Sequence, residues 1–184
     1  QGSLALISHK DASGLFVMPT MPADTNRLER NVEITLGTYG EIAGKVTEKS
    51  FGQSAVKERA LLRGLSAADY NRFIEGWISH GASGAKATKI TTSDDSTGGN
   101  FHLDVDFSAN SYAQIMQGKL MVFKPAVVGR LERLSFTDGK RMHPYVMDAK
   151  AYTETVKVKL PLGFAVDEMP EPTKIETAFG QYSA

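Results

Sequence analysis

From Phe101 to Phe107 the chain alternates without a fault: Phe101, Leu103, Val105 and Phe107 are apolar, and His102, Asp104 and Asp106 between them are polar. Successive side chains of a strand leave opposite faces, so this period of two predicts a β-strand with one packed face and one wet face. The same pattern recurs over residues 31–38, where Val32, Ile34 and Leu36 alternate with Glu33 and Thr35. Tyr39-Gly40 supplies a turn, and residues 41–47 return as a partner strand carrying Ile42 and Val46. Near the end of the chain Val156, Val158 and Leu160 alternate with Thr155, Lys157 and Lys159. Two short apolar runs, residues 4–7 and 15–17, flank a polar stretch and predict a small hairpin. Pro19 and Pro22 then dictate an irregular connector as far as Asn26, because each lacks an N–H and restricts the residue before it.

Between residues 50 and 81 the period lengthens. Ser50 and Gln53 have capping-box spacing, helix formers fill residues 55–63, and Gly64 suits a C-terminal stop, which predicts a helix near 52–64. Ser66 caps a second helix near 66–80, whose Tyr70, Phe73, Ile74, Trp77 and Ile78 fall on a single face. Residues 85–92 resume strand composition, and residues 94–99 collect Asp, Ser, Thr and Gly, which favour a turn. Residues 112–128 are apolar with a break at Pro125 and carry a strand through Leu120 and Val122. Thr137-Asp138-Gly139-Lys140 has the composition of a linker, Pro161-Leu162-Gly163 and Pro170 mark turns, and there is no solenoid-length repeat. Many strands with two adjacent helices predict an α+β fold. Its β-sheets should be largely antiparallel and sandwich-like in the C-terminal part. Residues 1–184 read as a single accessory-type domain, with a division into 1–140 and 141–184 as the alternative.

Composition narrows the function classes. With 184 residues, 41% of them hydrophobic, the chain can enclose a real core. The 21 basic and 21 acidic side chains cancel, so no long-range field draws in a phosphate backbone, and no nucleic-acid partner is expected. No run approaches the roughly 18 apolar residues of a membrane span, and no signal peptide is visible, so an exported protein would carry its signal outside these residues. The absence of cysteine removes disulfides, thiolate nucleophiles and Cys-ligated zinc.

Candidate chemistry is sparse. His102, Asp104 and Asp106 share one strand face and form the one cluster whose spacing could gather a ligand, although an antiparallel sheet with a wet face has the same appearance. Asp104 and Asp106 would serve poorly as an acid and base pair, since both point the same way while a glycosidase flanks its bond from opposite sides. Asp94 and Asp95 lack the rest of a calcium loop and read as turn residues. His9, His80 and His143 stand at no recognised ligand spacing, and no serine-nucleophile, P-loop or dinucleotide motif is present. Trp77 reads as core because its helical-face neighbours are apolar, and Tyr152, Lys157 and Lys159 read as a solvated face. The residues alone therefore predict no enzyme, no catalytic group, no cofactor and no metal.

A string of spaced positions completes the reading: Ala5-Leu6-Ile7, Met18-Pro19, Asn26, Arg30, Gly40, Gly52, Ala55, Arg59, Arg141, Pro144, Pro161-Leu162-Gly163, Pro170 and Phe179-Gly180-x-Tyr182. In these the chain resembles the region that follows the catalytic domain in bacterial transglutaminase-like proteins carrying β-rich domains of unknown function. The resemblance implies a non-catalytic structural or interaction module in a periplasmic or secreted protein, with the neighbouring catalytic domain as its partner in cis. None of that family's Cys-His-Asp triad maps onto these residues, and the family pattern runs on into further strands where this sequence stops. The second expectation is a stand-alone module that binds a cell-envelope peptide or glycan. A docking module should show a broad apolar patch, and a binding module should show exposed aromatics around a concave face.

Overall fold

The alternating runs become the strands of one sheet. The computed structural model describes residues 3–9, 12–95, 97–129 and 147–184. A hairpin of β1 (Leu4–His9) and β2 (Ala12–Val17) leads through a short 3-10 turn (Ala23–Asn26) into β3 (Arg27–Leu36) and β4 (Ile42–Phe51). Helices α1 (Gln53–Gly64) and α2 (Ala67–Gly81) follow, then β5 (Lys86–Asp95) and β6 (Asn100–Ala109). After these come a small hairpin of β7 (Gln114–Met116) and β8 (Leu120–Val122), then β9 (Ala151–Lys159), and a last hairpin of β10 (Lys174–Thr177) and β11 (Gly180–Ser183). The predicted linker at 137–140, with Arg141, His143 and Pro144, lies outside the described residues.

The central sheet has the order β5-β6-β4-β3-β9, antiparallel except for the parallel pair of β3 and β9. The fold is α+β, with two α-helices and mostly antiparallel sheets among the described residues, as expected from the sequence. Register places Val156, Val32, Val46, Val105 and Ile90 side by side across all five strands. With Ile34, Leu36, Ile42, Phe101, Leu103 and Phe107 they form the packed face, against which α2 buries Tyr70, Ile74 and Ile78. Val127 and Val128, beyond the Pro125 break, are also fully buried. Gly81 ends α2, and the close approach explains why it is glycine: a Cβ there would lie 1.6 Å from the Val127 carbonyl oxygen.

Two local expectations are corrected. Ser50 does not open a capping box: β4 continues through Phe51, and Ser50 is buried within the sheet between its partners Leu28 and Phe101. Pairing on both sides of β4 outweighs a local cap. The chain instead turns at Gly52 (φ 56°), and the cap of α1 comes from the buried Asn26, whose Oδ1 accepts from the Gln53 N–H at 3.0 Å. Ser66 does cap α2, its Oγ accepting from the Asp69 N–H. The second correction concerns Tyr152. It differs in parity from Lys157 and Lys159 and so lies on the packed side, half-buried, while the two lysines face solvent.

Candidate functional site

Carrying the alternation backward from Val32, forward from Val46 and backward from Val156 by two residues each lands on Arg30, Glu48 and Glu154. Register sets these three charged residues in one row of the packed face, beside Leu103. Arg30, with 5% of its side chain exposed, donates from Nε to Glu48 Oε2 at 2.7 Å and from Nη1 to the Val128 carbonyl at 3.1 Å. A longer contact of 3.5 Å joins Nη1 to Glu154 Oε1. The guanidinium also lies over the rings of Trp77 and Tyr152, 5.1 and 5.3 Å from their centroids. Burial works against its charge, but the field of Glu48 and its other neighbours outweighs it, and the pKa of Arg30 is raised.

Helix α1 brings a third carboxyl to this row. Glu58 is largely out of water and lies near Glu48, so burial first and like charge second push its pKa up to about 7, against the partial relief Arg30 gives. No hydrogen bond from the described residues reaches it. Near it, the buried Tyr70 hydroxyl on α2 has no hydrogen-bond partner among the described residues, and burial, then Glu58 and Glu48, hold its proton more tightly than usual. Arg30, Glu48 and Glu58, though not Tyr70 or Glu154, line a cleft of about 190 Å³ between the helices and the sheet. Arg30, Glu48 and Glu58 form its polar wall, and Phe73, Trp77 and Tyr152 its aromatic one. The arrangement suits capture of a polar group within an apolar enclosure. Trp77 packs against the core, as predicted, and also borders this cleft.

His102, Asp104 and Asp106 stand together on the opposite, wet face of the sheet, as their spacing predicts. Asp104 accepts from Thr47 Oγ1 at 2.7 Å and pairs with Lys45 Nζ at 3.0 Å. Partial burial opposes its charge, these two partners outweigh burial, and its pKa is lowered. Asp106 is opposite Lys45 and Lys89, and His102 opposite Lys49 and Ser93, so the face is built of cross-strand polar pairs. Among the described residues no group of three or more His, Asp or Glu could hold a metal ion. Asp94 holds Arg59 and Arg63 of α1, and Asp95 accepts from the Gly98 N–H in the turn. His80 contacts the Gly76 carbonyl of its own helix. A second cleft, of about 220 Å³ between α2 and β5, has its carboxylate Glu75 engaged by Lys86 and by the Ala87 N–H.

The comparisons with known proteins bear on the last part of the chain. Residues 119–184 match a family described as Domain of Unknown Function with solved-structure structure (DUF3858). The DUF3858 match takes in β8 to β11, and therefore Tyr152 and Glu154, while Arg30, Glu48 and Glu58 lie outside it. No curated protein and no solved structure matched the chain. No helix among the described residues is long and apolar enough to cross a membrane.

Proposed function

We propose that this chain is a non-catalytic structural and interaction module, docked on a neighbouring transglutaminase-like, peptidase-type catalytic domain of an exported bacterial protein. The observation that supports it is the apolar plate of the first hairpin. Cross-strand register pairs Leu4 with Val17 and Leu6 with Leu15 on one face, and these four side chains are 63–73% exposed. The hairpin is a separate two-stranded sheet, and such a hairpin is marginal in water by itself. Burying each of these side chains is worth about 1.5–3 kcal/mol, so the plate gains most from a partner surface. The resemblance to the region after the catalytic domain supplies that partner, and with it the periplasmic or secreted setting. Hydrogen exchange tests this: the amides of β1 and β2 should be protected in the intact protein and should lose that protection in the double variant Leu6→Asp, Leu15→Asp. Equal exchange in the two would remove the docking role.

The aromatic wall of the cleft favours a second reading, a binding module for a cell-envelope peptide or glycan. Phe73 is half exposed and stands with Trp77 and Tyr152 around a concavity whose polar wall is Arg30, Glu48 and Glu58. Saturable perturbation of Trp77 fluorescence by such a ligand tests it, and silence across peptides and glycans would reject it.

A further inference from the structure

We infer that two copies of this chain associate through the outer edge of β9, as an antiparallel β9–β9 pair centred on Thr155. The pair joins the two five-stranded sheets into one, with the helices of both copies on the same side. The inference concerns self-association and rests on neither reading above.

The central sheet has two edges and treats them differently. At one edge, β5 carries a bulge between Ala87 and Lys89 that breaks its register with β6. The Glu75 carboxylate of α2 occupies the Ala87 N–H at 3.3 Å and pairs with Lys86 at 3.0 Å. Bulges, lysines and occupied backbone groups are the means by which an edge is closed to further strands. At the other edge, β9 is paired with β3 without a break from Arg27↔Ala151 to Thr35↔Lys159. It contains no proline, and Thr153, Thr155, Val156 and Val158 are β-branched, the composition of a strand that pairs well. Among the described residues no strand meets its outer side. Its inward side chains Val156 and Val158 pack on the core but are only partly buried, whereas Val32 and Ile34 beside them on β3 are buried. A further strand would complete their cover.

The charges of β9 decide which strand fits. Lys157 and Lys159 project from its wet face, so a partner must not set cations against them. Lys157 is already answered by Glu33 at 3.3 Å and needs no acid from a partner. The strand meets these conditions itself when turned end for end. With Thr155 opposite Thr155, Thr153 faces Lys157 and Ala151 faces Lys159, so no lysine meets a lysine. On the packed side Tyr152 lies opposite Val158, and Glu154 opposite Val156. Aromatic with β-branched and Thr with Thr are pairs worth about 0.2–1 kcal/mol each in an antiparallel ladder. Residues of like parity meet throughout, so wet face continues into wet face and packed face into packed face. This centre uses the whole of Ala151–Lys159. A centre at Glu154 would set two carboxylates face to face, and one at Val156 would leave Ala151 and Tyr152 without partners within the strand. The resulting contact is two-fold symmetric and closes on itself, as isologous dimers do.

The chain has no cysteine, so one introduced thiol reports on one position. Residues directly opposite in an antiparallel pair have Cα atoms about 4.5–5.5 Å apart, within the span of a disulfide. In the full chain under a glutathione redox buffer, Thr155→Cys should give a disulfide-linked dimer, while Ser93→Cys, equally exposed on β5, should stay monomeric. One strand from each copy makes a small interface, so sedimentation of the unmodified chain should show a monomer–dimer equilibrium between about 10 μM and about 1 mM. The double variant Thr153→Lys, Thr155→Lys sets cations opposite one another at the centre and at both Thr153–Lys157 contacts. It should weaken the dimer about tenfold or more and keep an ordinary melting curve, since both positions are exposed. Should that variant fail to fold, the cysteine comparison and the unmodified chain decide. The inference is overturned if the chain stays monomeric throughout that range, if Thr155→Cys cross-links no faster than Ser93→Cys, or if the folded lysine variant dimerises unchanged. A dimer lost in Leu6→Asp, Leu15→Asp but indifferent to the β9 changes would put the contact on the first hairpin and overturn it equally.

Discussion

Replacing Glu58 by glutamine should make the protein more stable, and only above a definite pH. In the folded chain Glu58 holds its proton up to about pH 7, whereas the unfolded chain releases it near the ordinary value of 4.5. Between those values the folded state carries more protons than the unfolded one, so stability falls as pH rises across the window. The contribution is intact below pH 4.5 and gone above pH 7. At about 1.36 kcal/mol per pH unit, the span amounts to about 3 kcal/mol. Glutamine keeps the shape and cannot ionise, so the advantage of Glu58→Gln over the natural chain should grow by that amount between pH 4 and pH 8. For a chain of this size the melting temperatures should separate by roughly 6–12 °C. Thermal or urea melts of both proteins across pH 4–8 measure it. Their difference cancels the opposite trend contributed by Asp104 and Glu75, whose pKa values are lowered. A difference that stays flat from pH 4.5 to 7 would show Glu58 to be well hydrated in the folded state and would refute the burial reasoning.

Arg30→Met should cost about 3–5 kcal/mol in urea melts, because Glu48 is then a buried charge without its partner. Adding Glu48→Met should recover most of that loss. Gly52→Ala should lower stability by about 1–3 kcal/mol, since φ is positive there and the new Cβ would lie 2.2 Å from the Thr25 carbonyl oxygen. Asp104→Ala should change stability by less than about 1 kcal/mol, its pair with Lys45 being solvent-exposed, and should leave any activity of the parent protein unchanged. A large loss of turnover with intact folding would return the wet face to consideration as a functional surface.

Elements whose pattern comes from a single strand or helix were legible from sequence. β6 follows its unbroken alternation, and α2 follows the helical spacing of Tyr70, Ile74 and Ile78 together with the Ser66 cap. β3 starts four residues before the predicted strand, and β4 ends four residues after the predicted return strand, because Arg30 and Glu48 neutralise each other on the packed face. A charge at an inward position looks like the end of a strand until its partner, 18 residues away, is known. The cap of α1 was misread for the same reason: Asn26 is remote in sequence, whereas Ser50 offered a local alternative. The cleft was invisible because its polar wall comes from β3, β4 and α1 and its aromatic wall from α2 and β9. One signal was available: Arg30, Glu48 and Glu154 all keep inward parity with the valines beside them. Asn26 and Arg30, two of the spaced positions that carried the family resemblance, are among the residues that tie remote segments together.

The parallel pairing of β3 with β9 also governs the order in which the protein can be made. Arg30 and Glu154 are 124 residues apart. At about 5–20 residues per second, a ribosome needs roughly 6 to 25 s to pass from one to the other. Through that interval β4 can assemble beside β3 and β6 beside β4, and Glu48 can neutralise Arg30 early, but the outer backbone edge of β3 has no strand to meet. An unpaired edge of ten residues is a template for pairing with a neighbouring nascent chain. Each molecule is therefore most exposed to misassembly late in its own synthesis, and the arrival of β9 ends that exposure.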